Sequence, residues 1–190
     1  MRFERALGVV KYWLSRIFGT RRGTCGRNRI LIPGEVRSSE IVVQTREGWE
    51  IPNSQSFETT LWDEGQLQDH RRRHPHAVFR TGAIPVYNCH GLTFAARRTA
   101  VLDTPVIRKV LTDDRYEKVN RNEVHPGDVI LYVSAEDGDI EHSGIIIEPP
   151  SEPLFVPKVW SKWGHGPEVI HWANACPYDF SQAQYYRIRS

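Results

Sequence analysis

The chain has 190 residues, enough for one domain with a sizeable core and a short added arm. It is 39% hydrophobic and 25% charged with a formal net charge of +2, which is typical of a soluble protein and gives no electrostatic case for nucleic-acid binding. The three cysteines, Cys25, Cys89 and Cys176, are too few for a disulfide framework and lack the close spacing of a zinc cluster. A reducing compartment with a working thiol is the simpler expectation, and one disulfide with a thiol left over is the alternative.

Residues 1–24 are predicted to form a basic amphipathic helix, or arm, because apolar side chains recur on one face at helical spacing. Lys11 and Arg16 interrupt the apolar run, so it is too short to span a bilayer. It also has no clean apolar region or cleavage site of a signal peptide, which predicts a cytoplasmic location and leaves export by a non-classical route open. Packing against the body of the protein is the simpler interpretation of this helix, and peripheral binding of residues 1–22 to a membrane or a protein partner is the alternative.

The next segment, residues 25–78, is predicted to be an extension with strands and a polar loop. It begins with a Gly/Arg linker, continues with the strand pattern "EIVVQT", and is polar without firm periodicity from Asn53 to His76. From residue 79 the pattern becomes more regular, and we expect residues 79–190 to form the functional core.

The core pattern places helices before strands. "CHGLTFAARRTAVL" has helical spacing with Asn88 as its cap, and "PVIRKVLTDDRYEKV" begins a second helix with Pro105. Five strand patterns follow: "HPGDVILYV", "EHSGIIIE", "KVWSKW", "PEVIHW" and "QAQYYRIR". A turn at Gly138 joins the first two as a hairpin. This order predicts an α+β fold with an antiparallel sheet.

Cys89 is the candidate nucleophile. A thiol attacks as the thiolate, and the start of a helix favours negative charge, so we expect this thiol to have a pKa below the usual value of about 8.5. A histidine is the usual base. His90 is adjacent, but consecutive helical residues point about 100° apart. His142 opens a strand and is therefore the better candidate.

A third polar group usually orients the base, and the strand "KVWSKWGHG" supplies the candidates. Ser161 is the preferred candidate, Lys162 is its rival, and His165 lies past the predicted strand end. The residue pattern leaves open which face of this strand meets His142. Tyr87, Lys162 and Trp163 are the candidates for contacting the substrate.

These motifs resemble a known family. "NCHGLTFA" resembles the nucleophile motif of NlpC-type cell-wall peptidases, in the papain-like group that includes the CHAP amidases. "HPGDVILYV" is similar to the Pro-Gly-Asp strand of that family and "IEHSGIIIE" to its histidine strand, and the three blocks occur in family order. Asn88 stands where the family has an acid, and His90 stands where it has a small serine.

The resemblance implies a papain-like core in which the nucleophile helix packs on an antiparallel sheet. It implies that Cys89 is the nucleophile, that His142 is the base, and that the third residue lies near Ser161. Members of the family cleave amide bonds, typically in peptidoglycan peptides, through an acyl-enzyme and without a metal or cofactor. The expected partner is therefore a peptide or peptidoglycan-like amide substrate.

Two other functions stay open from the sequence. The first is a lipid or acyl transferase of the lecithin:retinol acyltransferase type, which also carries an "NC" motif, although there the histidine precedes the cysteine. The second is a non-catalytic or metal-binding module, for which the following residues could supply ligands: Cys89, His90, His142, His165 and Cys176.

Overall fold

A seven-stranded antiparallel sheet is the framework of residues 38–189, the part of the chain that the structure, a computed structural model, describes. The strands are β1 (Ser38–Ser39), β2 (Gln55–Ser56), β3 (Val78–Phe79), β4 (Tyr116–Val119), β5 (Val129–Val133), β6 (Ile140–Glu148), β7 (Lys158–Lys162), β8 (Glu168–Trp172) and β9 (Gln184–Ile188). Strands β1 and β2 pair with each other, and the large sheet has the order β3-β8-β7-β6-β5-β9-β4. The predicted antiparallel sheet is confirmed, whereas the papain-like arrangement stays a prediction. The N-terminal helix and Cys25 lie outside the described residues.

The described helices are α1 (Leu61–Arg73), α2 (Cys89–Phe94) and α3 (Thr104–Asp113), with a 3-10 turn at Arg121–Glu123. Helix α1 lies in the stretch that showed no firm periodicity. It forms because Thr60 and Asp63 make a reciprocal capping box: the Asp63 amide donates to the Thr60 hydroxyl (3.2 Å), and the Thr60 amide donates to the Asp63 carboxylate (2.8 Å).

Helices α2 and α3 are both shorter than their sequence patterns suggested. The backbone of Ala96 and Arg97 is left-handed, with φ of 48° and 65°, and this ends the helical path after α2. Arg115 is also left-handed, with φ of 59°, and the chain then enters β4 instead of continuing α3. The expectation that "RYEKV" continues the second helix was therefore wrong.

Each face of the sheet carries its own hydrophobic cluster. Alternate residues of β5 belong to the two clusters: Leu131 packs on the α3 side of the sheet and Tyr132 on the opposite side. Val43 and Ile51, from the predicted extension, pack in the same cluster as Leu131. None of the helices among the described residues combines the length and hydropathy needed to cross a membrane.

Candidate active site

Cys89 is the first residue of α2, and its position is fixed by Asn88. The Asn88 side-chain oxygen accepts from the Gly91 amide (2.8 Å) and the Val101 amide (3.1 Å), and its Nδ2 donates to the Val101 carbonyl (2.6 Å). Asn88 therefore caps the helix and also binds the segment that follows it. A carboxylate could accept both amides but could not donate to the carbonyl.

Gly91 allows the helix to approach the chain closely. A Cβ placed on Gly91 would lie 1.9 Å from the backbone oxygen of Thr99 and 3.0 Å from the Tyr87 Cβ. Two non-bonded atoms cannot lie 1.9 Å apart, so the close packing of α2 against this segment requires a glycine at position 91. The glycine of the "NCHGL" motif thus acts through packing next to Cys89.

Helix α2 meets β6 through Ser143. The Ser143 hydroxyl lies 2.9 Å from His90 Nδ1 and 3.0 Å from the Thr93 hydroxyl, and Thr93 donates to the Cys89 carbonyl (2.9 Å). Burial lowers the pKa of His90 to about 4, so this imidazole is neutral. His90 is therefore part of the connection between helix and sheet.

His142 precedes Ser143 on β6, and side chains alternate along a strand, so the two residues serve opposite faces of the sheet. His142 is fully buried, and its ring stacks on the Tyr178 ring with centroids 3.8 Å apart and planes at 6°. The ring of Tyr132 lies 5.2 Å away, beside a shift in the register between β5 and β6. Such irregularities re-aim side chains and recur near active sites.

Neither ring nitrogen of His142 has a hydrogen-bond partner, although both are buried. Burial lowers the pKa of His142 well below its usual value, and the nearby His171 and His90 act in the same direction. The side chain is therefore a neutral imidazole whose nitrogens are both uncommitted. It does not hydrogen-bond the Cys89 sulfur in this structure.

The Cys89 side chain is enclosed, with 5% of its residue surface exposed. Burial raises the pKa of its thiol to about 11, and this outweighs the backbone amides of Ser143 and His90 and the charge of Lys162, which all lower it. The expected low thiol pKa was therefore wrong for this conformation. Burial raises the pKa of the Tyr178 phenol, and a thiolate at Cys89 would act in the same direction, so Tyr178 lies within electrostatic range of the sulfur while it stacks on His142.

Ser161, the preferred candidate for orienting His142, bonds a different histidine. Its hydroxyl lies 2.8 Å from His171 Nε2, and His171 Nδ1 lies 2.9 Å from the Trp172 carbonyl. Since His142 has no partner, the proposed contact between Ser161 and His142 is not made in this structure. Burial lowers the pKa of His171 to about 4.

Two of the candidate substrate contacts, Tyr87 and Lys162, belong to a buried polar cluster on the α2 side of the sheet. Its centre is Glu168, which accepts from the Tyr87 hydroxyl (2.5 Å), from Arg97 Nε (2.6 Å) and from Trp160 Nε1 (3.0 Å). The Lys162 amine donates to the Gly166 carbonyl and lies 5.0 Å from the centre of the Tyr87 ring. Tyr87 is 5% exposed and Lys162 is wholly buried, so neither is available on the surface.

Trp163, the third candidate substrate contact, is 2% exposed and packs in an aromatic cluster. The rings around it are His70 at 5.1 Å, His74 at 4.8 Å, His171 at 5.4 Å and Phe79 at 5.8 Å between centroids. Trp163 therefore anchors α1 to the sheet. His165, past the end of β7 as expected, lies 3.7 Å from the Asp63 carboxylate.

Sequence reasoning missed three residues that define this site: Tyr178, Glu168 and His171. The pattern "EVIHW" does carry a signal for two of them, because period-two alternation puts Glu168 and His171 on opposite faces of one strand. Tyr178 lies between β8 and β9 with no periodic context, so no local pattern indicates its stacking on His142.

Among the described residues, no group of three or more His, Cys, Asp or Glu side chains could hold a metal ion. The five residues considered as ligands are therefore not gathered into one cluster. Comparisons of the chain with models of known protein families, with curated proteins and with solved structures each return no match. The chemistry of the described residues is thus the basis for assigning a function.

Proposed function

We propose that this protein is a cysteine hydrolase that cleaves an amide bond through a thioester on Cys89, with His142 as the base, in a papain-like core. Peptidoglycan peptides, or related peptide amides, are the substrate class implied by the motifs. The observation that carries the proposal is the imidazole of His142, which is fully buried, neutral and without a hydrogen bond at either nitrogen.

An unpartnered imidazole in the interior is costly. A buried polar group without a partner costs about 1–3 kcal/mol, and most buried polar groups in proteins are therefore paired. The Trp163 Nε1 and Tyr185 hydroxyl groups are also buried without a partner among the described residues, but neither can act as a base near neutral pH. The Ser161 hydroxyl, which could have paired with His142, bonds His171 instead. A general base, in contrast, needs a lone pair free for the proton it accepts. The free nitrogens of His142 fit that requirement.

The reaction would follow the ordinary course of thiol catalysis. The thiol proton passes to His142 as the sulfur attacks the carbonyl carbon, and the backbone amides that stabilise negative charge at Cys89 belong to Ser143 and His90. The amide bond then breaks, and the amine leaves with the proton from His142. Water, deprotonated by His142, cleaves the thioester and releases the acid and the free thiol.

Turnover requires Tyr178 to move. Its ring covers one face of His142, and it lies on the connection between β8 and β9, close to the enclosed sulfur. Neither Cys89 nor His142 is accessible in this conformation, and His142 is on the face of β6 opposite the one on which α2 packs. The reaction therefore requires this connection to open, so that a substrate carbonyl and the His142 imidazole can both reach the sulfur.

The proposal is tested with p-nitrophenyl acetate, an activated ester that reports an acyl-enzyme whatever the natural substrate is. We expect a stoichiometric burst of p-nitrophenolate and an acetyl group on Cys89 in the peptide mass spectrum. Tyr178→Ala should accelerate the burst because it uncovers His142. His142→Phe keeps the ring stack but removes the nitrogens, and should slow turnover about 100-fold or more.

Cys176→Ser is the matched control, because Cys176 is a second, half-buried thiol on the same connection as Tyr178. This variant should keep the burst, and Cys89→Ser should lose it. Acetylation of Cys176 at the rate of Cys89, or turnover unchanged in His142→Phe, would exclude the proposed mechanism.

A further inference from the structure

We propose that Lys162 is the cation that stabilises the Cys89 thiolate, and that His142, neutral in the resting site, only accepts and returns the proton. This inference rests on the proposed function. It assigns the stabilisation of the thiolate and the transfer of the proton to two different residues of the same site. A histidine that is both ion-pair partner and base is the arrangement expected from the sequence. The burial and contacts of Lys162 point to a different partner for the sulfur.

Lys162 is an amine held inside the protein. It is the last residue of β7, its residue surface is 0% exposed, and its side chain lies over the face of the Tyr87 ring at 5.0 Å. Tyr87 precedes Cys89 by two residues, and α2 packs against β6 and β7. The amine is therefore held beside the segment that leads into the nucleophile.

The amine has no carboxylate of its own. Glu168 is opposite Lys162 in the β7–β8 ladder, but its two oxygens accept from three other donors. Among the described residues, no carboxylate oxygen lies within 4.0 Å of the Lys162 amine, whose hydrogen bond goes to the Gly166 carbonyl. A buried ammonium without an ion-pair partner is unfavourable, so an anion is expected nearby.

The electrostatics of the site agree with this geometry. Burial lowers the pKa of Lys162 to about 8, and Cys89 comes first among the groups that oppose this fall, ahead of Glu168 and Asp63. The charge of Lys162 in turn lowers the pKa of the Cys89 thiol. His142 is neutral, and the charged groups that act on it are other histidines. It therefore supplies no positive charge to the sulfur.

The titratable groups that act on Lys162 come from each neighbouring part of the structure: Cys89 on α2, Tyr87 before it, Glu168 on β8, Asp63 on α1 and His165 in the β7–β8 turn. Of these, only the thiol changes from neutral to negative during the proposed reaction. Thiolate formation therefore gives Lys162 a counter-ion that the resting site lacks.

The test is the rate at which iodoacetamide alkylates Cys89 at pH 7, where Lys162 carries its proton, followed peptide by peptide in the full chain. In Lys162→Met, which keeps the shape but not the charge, this rate should fall about tenfold, because the thiolate fraction at Cys89 falls with the loss of the cation. Lys162→Arg should restore the rate, and His142→Phe should leave it unchanged. An unchanged rate at pH 7 in Lys162→Met would overturn the inference.

A purely structural role for Lys162 predicts a different outcome. If Lys162 served only the fold, Lys162→Met would melt at a lower temperature and Cys89 would react as in the wild type. Under the inference the melting temperature should not fall, because replacing a buried charge with an apolar side chain is often neutral or stabilising. If this variant does not fold, the wild-type protein still provides the test. The anionic reagent iodoacetate should be favoured over neutral iodoacetamide more strongly at Cys89 than at Cys176, and an equal preference at the two thiols would overturn the inference.

The two proposals can fail separately. Slower alkylation of Cys89 at pH 7 in Lys162→Met, without an acetyl adduct from p-nitrophenyl acetate, would leave the ion pair in place and remove the hydrolase. An acetyl adduct on Cys89, together with an alkylation rate that does not depend on Lys162, would leave the hydrolase in place and remove the ion pair.

Discussion

Replacing Gly91 with alanine should destabilise the protein strongly, because the new methyl group has no room. Its Cβ would lie 1.9 Å from the Thr99 oxygen, whereas ordinary contacts to a Cβ begin at about 3.4 Å. The clashing atom is backbone and Thr99 is fully buried, so no side-chain rotation relieves the overlap. Helix α2 would have to move by more than about 1 Å against the neighbouring chain.

The cost of this movement can be set against known effects of overpacking. Extra methyl groups in a packed core cost about 1–3 kcal/mol and occasionally more. Asn88 binds both Gly91 and Val101, so the shift also strains the cap of α2. We therefore expect a loss of about 3 kcal/mol or more, which lowers the melting temperature of a domain of this size by about 6–12 °C.

Gly65 provides the matched control, because it lies within α1 and a Cβ there meets nothing within 4 Å. Alanine is favoured over glycine in a helix by about 1 kcal/mol, so Gly65→Ala should raise the melting temperature. Thermal unfolding followed by circular dichroism measures both variants. If Gly91→Ala were as stable as the wild type, the close approach of α2 to Thr99 would be wrong. The position of Cys89 at the start of α2 would then be wrong as well.

Two further results are expected from unfolding in urea. Glu168→Gln should cost about 2 kcal/mol, since the buried carboxylate loses its charge beside Arg97, whereas Glu148→Gln, in an exposed pair with Lys158, should cost less than about 1 kcal/mol. The second result concerns three buried histidines whose pKa values burial lowers: His90, His142 and His171. Below a pH of 6.5, the unfolded chain binds protons that these side chains do not bind in the folded protein. The free energy of unfolding should therefore decrease as the pH is lowered, by up to about 1.4 kcal/mol per pH unit for each histidine. A urea midpoint that stays constant from about pH 7 to pH 5 would contradict this assignment.

The second half of the fold could be predicted from the sequence because its strands are apolar runs bounded by turns. All five residues of β5 are buried, and Gly138 takes the positive φ of 76° that the predicted hairpin turn requires. The first half offered weaker signals. Helix α1 buries only Asp63 and Leu67, so its amphipathic stripe is nearly absent and its capping box was the one local indication.

The position of Cys89 could be predicted because cap and helix start are local features, and Asn88 does cap α2. The surroundings of His142 could not. At this point β6 is buried on both faces, so hydrophobic alternation does not tell which side chain meets α2. Ser143 makes that contact, and His142 faces Tyr178, which follows it by more than thirty residues in the sequence.

The missing partner of His142 is best explained by how its neighbours are paired. Its ring is held by stacking on Tyr178, while the hydroxyl of Ser161 is bonded to His171. The hydroxyl that the sequence suggested as its partner is therefore bonded elsewhere. Stacking fixes the plane of the ring without occupying its nitrogens. A side chain held in this way is positioned and still free to take a proton, which is the condition that a general base has to meet.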